Sequence, residues 1–169
     1  IINDGDNSGG STVTLVGDSG DDSISGGAGS NHYVGNDGND TLIGDGSERS
    51  FLDFDRARYD TDGATEGISV NFSTTATVTG QSGVIDTDTL INIEGVRGTD
   101  KDDTFTADGS FLGSLSRDNF NEFEGKDGND TISGNASTRV TFRTASDSVT
   151  ADLKDGNSFS TNSGDTANV

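Results

Sequence analysis

Residues 17–43 divide without remainder into three nine-residue units, GDSGDDSIS, GGAGSNHYV and GNDGNDTLI. Each has Gly at positions 1 and 4, Asp or Asn at position 6 (Asp22, Asn31, Asp40) and a large apolar residue at position 8 (Ile24, Tyr33, Leu42). A short fixed period marks a repeat architecture, which constrains the fold more than any composition does. The preceding SGGSTVTLV at 8–16 keeps the register but retains only Leu15 at position 8. A second block follows after a gap. GTDKDDTFT at 98–106 has Asp103 and Phe105 in place, with Lys101 replacing the second Gly. GKDGNDTIS at 125–133 is complete, with Asp130 and Ile132, and SRDNFNEFE at 116–124 keeps Asn121 and Phe123 in register. Such a four-point match recurs by chance in about one window per thousand. Here three complete ones start at 17, 35 and 125.

The unit has a direct physical reading. Six Gly- and Asp-rich residues make a turn, because Gly takes positive φ and Asp bonds its own loop. The last three make a short strand, in which position 8 points inward and positions 7 and 9 face outward. Ser23, Ser25, His32, Val34, Thr41 and Ile43 are therefore expected at the surface. One inward side chain per nine contributes about 1.5–3 kcal/mol, whereas ordering each backbone residue costs about 1–2 kcal/mol. The chain is not expected to fold unaided.

Composition indicates what the aid is. Of 30 acidic residues 25 are Asp, Gly also numbers 25, only 10 residues are Lys or Arg, and the net charge is −20. The hydrophobic fraction is 27%, which by itself would suggest disorder. Cys is absent, so neither a disulfide nor a thiolate metal site is available, and a single His rules against zinc. A hard cation held by many oxygens is the remaining staple. Without a basic face the chain is not expected to bind nucleic acid, and no apolar run is long enough to span a membrane as a helix. The chain starts without Met and without a signal-peptide pattern, and is read as processed or as a fragment.

The nonads resemble the glycine- and aspartate-rich RTX repeats (GGxGxDxUx) of proteins secreted by Gram-negative bacteria. The resemblance covers 17–46 and 98–135. It implies an all-β fold, a right-handed parallel β-roll (a β-solenoid) with longer strand-pair insertions, in which loops 18 residues apart stack with Ca²⁺ between them. The first loop of a pair would offer the carbonyls of positions 2 and 4 and its position-6 Asp. The second would offer the carbonyls of positions 1 and 3 and its own position 6. Transferred here, the best site takes the carbonyls of Asp18, Gly20, Gly35 and Asp37 and the carboxylates of Asp22 and Asp40. A second takes the carbonyls of Thr99, Lys101, Ser116 and Asp118 with Asp103 and Asn121, weakened by the neutral Asn. A third ends on Gly125, Asp127 and Asp130, with Leu112 where its other carboxylate should be. The loops at 26 and 44 carry Asn31 and Arg49 at position 6 and are expected to bind weakly or not at all.

Between the blocks, GISVNF at 67–72 and TATVTG at 75–80 alternate and read as ordinary strands, and TDTLINIEGV at 87–96 leads into the second block. Residues 138–153 echo this insertion, with Val149, Ala151 and Leu153 corresponding to Ile68, Val70 and Phe72. The expected organisation is a nonad block at 1–46, a strand insertion continuing the roll at 47–97, a second nonad block at 98–135 and a second, truncated insertion at 136–169. Asp53 and Asp55 stand two apart and could serve glycoside chemistry. A charged strand or extra cation ligands is the favoured reading, with Asp60 and Asp62 nearby, and His32 is expected to be solvated rather than a base. The chain is read as a non-enzymatic, calcium-binding structural module of a secreted or cell-surface bacterial protein, folding on export, within an adhesin, surface-layer or matrix protein. The alternatives are a non-catalytic module of a secreted protease, lipase or polysaccharide epimerase, or of a pore-forming toxin. Neighbouring modules of a longer chain or surface glycans are the expected further partners.

Overall fold

The computed structural model describes residues 1–3, 12–46, 54–60, 63–111, 120–135, 137–146, 149–151 and 158–163. Among them there are strands and no helix, arranged in two sheets. Sheet I has ten strands in the order β1 (Ile2–Asn3), β3 (Ser23–Ser25), β5 (Thr41–Ile43), β9 (Thr87–Ile91), β8 (Ala76–Thr79), β7 (Ser69–Phe72), β11 (Thr104–Ala107), β13 (Asn129–Ser133), β16 (Ser158–Ser163) and β15 (Val149–Ala151). Sheet II has six, in the order β14 (Thr138–Thr141), β12 (Asn121–Glu124), β10 (Gly95–Arg97), β6 (Arg56–Arg58), β4 (Asn31–Asp37) and β2 (Val13–Ser19). From β2 to β5 the chain alternates between the sheets, one strand per nonad. Parallel strands cannot be joined by a tight hairpin, and crossing to the facing sheet is the short connection that six turn residues allow.

In the first block the parallel registers are the 18 residues of two nonads, with Leu15 beside Tyr33 and Ile24 beside Leu42. The insertion then departs from the roll. β7, β8 and β9 form an antiparallel meander within sheet I, with β9 parallel to β5 and β7 parallel to β11. The runs at 67–72 and 75–80 thus are strands, as their alternation predicts. The echo at 138–153 is reproduced in part: β15 and β16 pair antiparallel as β7 and β8 do, and β14 joins β12 in parallel as β6 joins β4. β16 lies directly on β13, and among the described residues no third strand stands between as β9 does in the first unit. Leu153 lies outside the described residues.

Position 8 points inward throughout the described nonads. Ile24, Tyr33, Leu42, Phe105, Phe123 and Ile132 are each fully buried. The insertion adds Ile68, Val70, Phe72, Val78, Ile85 and Ile93 to the same cluster, so the core is thicker than the nonads alone supply. Phe123 of sheet II meets Phe72 and Phe105 of sheet I at ring separations of 5.2 and 5.1 Å, which ties the two sheets together. Phe123→Ala is expected to cost about 3–5 kcal/mol in calcium-saturated denaturant titrations.

The outer face of sheet II is not the solvated surface expected of it. Cross-strand rows bring Arg56 beside His32 and align Arg97 with Arg58 and Glu124. Buried Glu122 pairs with Arg56 and Arg139, while buried Glu124 accepts from Arg97 Nε at 2.8 Å and from Thr144 Oγ1 at 2.8 Å. Long arginine stems cover their neighbours. Val34 is consequently buried and His32 half-buried. Burial lowers the His32 pKa, and the charges of Arg56, Arg58 and Arg97 lower it further.

Candidate calcium sites

The turns at 17–22 and 35–40 are the sequence-predicted first site, and they stack directly. Asp18 pairs with Asn36 and Ser19 with Asp37, and Gly20 N–H donates to the Asp37 carbonyl at 2.7 Å. Positions 2 and 4 both take left-handed backbone: Asp18 and Gly20 at φ 76° and 96°, Asn36 and Gly38 at 65° and 133°. Gly38 is required for contact as well as conformation, since a Cβ there would run into the Gly20 backbone. Asp22 N–H donates to Asp40 Oδ1 at 2.8 Å, and Asn39 N–H to Asp21 Oδ1 at 2.9 Å. Asp18, Gly20, Asp22, Gly35, Asp37 and Asp40 are therefore brought together as expected.

Asp40 is 1% exposed, and its Oδ2 has no hydrogen-bond partner. Burial pushes its carboxyl above the usual range, and the charges of Asp22, Asp21 and Asp37 push the same way. A buried carboxylate oxygen without a donor is costly. Two carboxylates and four main-chain carbonyls are an oxygen set of the kind that suits Ca²⁺. Among the described residues no three His, Cys, Asp or Glu side chains form a cage of their own. Position 1 is Gly because the position-6 carboxylate lies against it: a Cβ on Gly35 would overlap Asp40 Oδ2. Gly35→Ala should displace that carboxylate and raise the calcium midpoint about tenfold, since site geometry and ligand charge set affinity over decades. An unchanged midpoint would count against Asp40 as a ligand.

The second block pairs differently from the sequence expectation. Asp103 and Asn121 lead into opposite sheets and share no turn row. The loop at 98 instead stacks on the loop at 125, because β11 and β13 align Thr104 with Thr131, 27 residues on. The physical reason is the length of chain between them: β11 ends at Ala107 and β12 begins only at Asn121, so the strand that returns beside β11 is three nonad lengths on rather than two. The site residues Thr99, Lys101 and Asp103 therefore join Gly125, Asp127 and Asp130, merging halves of the second and third expected sites. Ser116, Asp118 and Leu112 lie outside the described residues.

This pair repeats the first in detail. Asp103 N–H donates to Asp130 Oδ1 at 3.0 Å and Asn129 N–H to Asp102 Oδ1 at 2.8 Å. Gly128 lies on the Lys101 carbonyl as Gly38 lies on that of Gly20. It also differs where Lys101 replaces Gly. Lys101 does not take the left-handed form, and its N–H donates to Thr99 Oγ1 at 3.0 Å. Asp103 already accepts from Thr99 N, Thr99 Oγ1 and Ile68 N at 2.8–2.9 Å. Asp127 accepts from Ser146 N and Oγ, both at 2.8 Å.

Burial pushes the Asp103 carboxyl up to about 6, despite those donors. A folded-state pKa above the unfolded value means that the fold binds more protons than the unfolded chain between the two values. In metal-depleted buffer the folding equilibrium should therefore shift toward the fold as pH falls through about 6 toward about 4, read as a partial return of the β-sheet circular-dichroism signal, and Asp103→Asn should blunt that return.

Several residues of the turn rows escaped the sequence reading. Asp88 continues the Asp22–Asp40 row: its Oδ1 accepts from Asp40 N–H at 2.9 Å and its Oδ2 from the Tyr59 hydroxyl at 2.8 Å. Its signal was present, since GVIDTDTLI at 83–91 has Gly at position 1, Asp88 at 6 and Leu90 at 8, shifted out of frame by the insertion. On the opposite row Asp55 stands against Gly44 as a position-6 residue does, and Arg49 lies outside the described residues. Asp55 accepts from Asn31 N–H at 2.8 Å, and its own N–H donates to Glu94 Oε2 at 2.9 Å. Asp53 and Asp62 lie outside the described residues, and Asp60 is ion-paired with Arg58 and Arg97.

The RTX calcium-binding nonapeptide repeat model matches, in four copies, residues 9–46 and 118–138. These two segments are similar to RTX calcium-binding repeats. These repeats bind Ca²⁺, which agrees with the oxygen set around Asp40, and proteins that contain them are typically secreted by Gram-negative bacteria. The matched range omits the loop at 98, where Lys101 breaks the glycine pattern. No curated protein matches the chain. No helix among the described residues is long and apolar enough to cross a membrane.

Proposed function

We propose that this chain is a structural module of a secreted or cell-surface bacterial protein, a right-handed parallel β-roll that folds when export brings it into calcium-rich medium. The observation that carries this reading is the buried, partnerless Asp40 Oδ2 between two stacked glycine turns. Inside a cell calcium is scarce, and a net charge of −20 keeps the chain open by self-repulsion. Outside, binding free energy becomes folding free energy. When bound, the ion supplies the positive charge that the carboxylate rows lack. Asp22, Asp40, Asp103 and Asp130 hold it, and the glycines let the turns approach.

The parent protein is an adhesin, surface-layer or matrix protein, in which this module is a spacer, and the module has no catalytic activity of its own. A groove of about 310 Å³ beside β8 and β9 is lined by Ser73, Thr75, Leu90, Asn92 and Phe111 among others, with no titratable group. Asp55, the candidate carboxylate at the break in the repeat, is buried in the turn-row hydrogen bonds. Calorimetric titration of the metal-depleted chain should show saturable calcium binding and little response to magnesium. Absence of calcium binding would sink the reading. Turnover of an acidic polysaccharide, abolished by Asp55→Asn with calcium binding intact, would overturn the non-enzymatic part. Many further units of about 90 residues in the parent chain would support the array role.

A further inference from the structure

The fold has two rows of turns. The row entering sheet I carries Asp22, Asp40, Asp88, Asp103 and Asp130 at its position-6 points. The row entering sheet II carries Asn31, Asp55, Glu94 and Asn121 at the corresponding points. Asn31 is fully buried, and its Nδ2 donates to the carbonyls of Gly27 at 2.8 Å and Gly29 at 3.0 Å. Those are positions 2 and 4 of its nonad, the same carbonyl pair that Asp18 and Gly20 offer in the other row. One amide nitrogen with two protons thus bridges the two carbonyl oxygens, the place a cation would take between them. The main-chain bonds from Asn31 to Asp55 and from Asp55 to Glu94 continue the row with neutral N–H donors.

We propose that the turn of Gly26–Asn31 closes without calcium, the Asn31 amide taking the seat of the ion, so that calcium is confined to the row entering sheet I. This rests on the calcium reading of the chain given above. The amide's orientation is the physical switch. With Nδ2 inward the turn is neutral and self-satisfied. Rotated by half a turn, Oδ1 would face two carbonyl oxygens with no proton among the three, which only a cation could reconcile. Among the described residues Oδ1 has no partner, so the two carbonyl bonds set the orientation. A carboxylate at this point would have no protons to offer and would require the ion, with the Asp55 carboxylate available on the next turn.

Native mass spectrometry of the full chain in calcium, comparing wild type, Asn31→Asp and Asp40→Asn, tests this. Asn31→Asp should carry one more calcium than wild type, and Asp40→Asn one fewer. An unchanged count for Asn31→Asp beside a reduced count for Asp40→Asn would overturn the proposal and leave the calcium reading standing. No calcium on wild type would overturn both. Should Asn31→Asp fail to fold, the wild-type protein decides through its side-chain amide signal. Asn31 side-chain protons protected from solvent exchange in saturating calcium support the proposal. Their loss of protection, or an anomalous calcium signal between the Gly27 and Gly29 carbonyls, overturns it.

Discussion

In excess chelator the chain is expected to lose most of its β-sheet circular-dichroism signal, and to regain it as calcium rises toward millimolar. Asp22 and Asp40 lead into neighbouring strands, as do Asp103 and Asp130. Neighbouring strands lie about 4.8 Å apart, well inside the screening length, so each row repels itself without an ion. The insertion strands enlarge the core, yet they are joined to the nonads through β5–β9 and β7–β11 and inherit their dependence. A site at about 100 times its Kd stabilises by about 2.7 kcal/mol. Two such sites supply about 5 kcal/mol, the lower end of a whole domain's net stability. Magnesium should restore little, because it demands a small octahedral shell that a carbonyl-rich turn pair does not form. A full sheet signal with a cooperative melt in metal-depleted buffer would refute this.

Asp40→Ala should raise the calcium midpoint of folding by about tenfold or more, and more than Asp103→Ala does. Both are position-6 carboxylates of a stacked turn pair, Asp40 in the second turn of its pair and Asp103 in the first, and they differ in what already satisfies them. Asp40 Oδ2 is buried and partnerless, whereas Asp103 takes three donors from Thr99 and Ile68. The loop of Asp103 is already closed by its own Thr99, and Lys101 denies it the left-handed turn seen at Gly20. An ion has less to add there. A larger midpoint shift for Asp103→Ala would place the tighter ion at the 98/125 pair.

The first nonad block was legible residue by residue. Its period and its inward position 8 follow from local turn chemistry and strand alternation, which need no knowledge of distant partners, and its 18-residue register is what the resemblance to RTX repeats implies. Ile24, Tyr33 and Leu42 are buried because of that alternation, and the Asp22–Asp40 pairing follows from that register. Strand identity within the insertion was legible too, since alternation survives in GISVNF and TATVTG.

Beyond the first insertion the count no longer determines neighbours. Register is a property of which strand lies alongside, and an insertion of arbitrary length can return the chain to the same sheet with any offset. Asp103 therefore meets Asp130 at 27 residues rather than Asn121 at 18, and Asp40 meets Asp88 at 48. Asp55 and Glu94 take their row positions for the same reason, although neither stands in a complete nonad. The outward face of sheet II was misread because alternation tells only which side a residue points to. Whether that side is wet depends on what the next strands carry, and here they carry Arg56, Arg58, Arg97 and Arg139. The sequence alone thus determined the unit, its inward residue and the class of ion it holds. The tertiary structure decided which turns share an ion, because hydrogen-bonded adjacency across insertions is settled by packing and not by period.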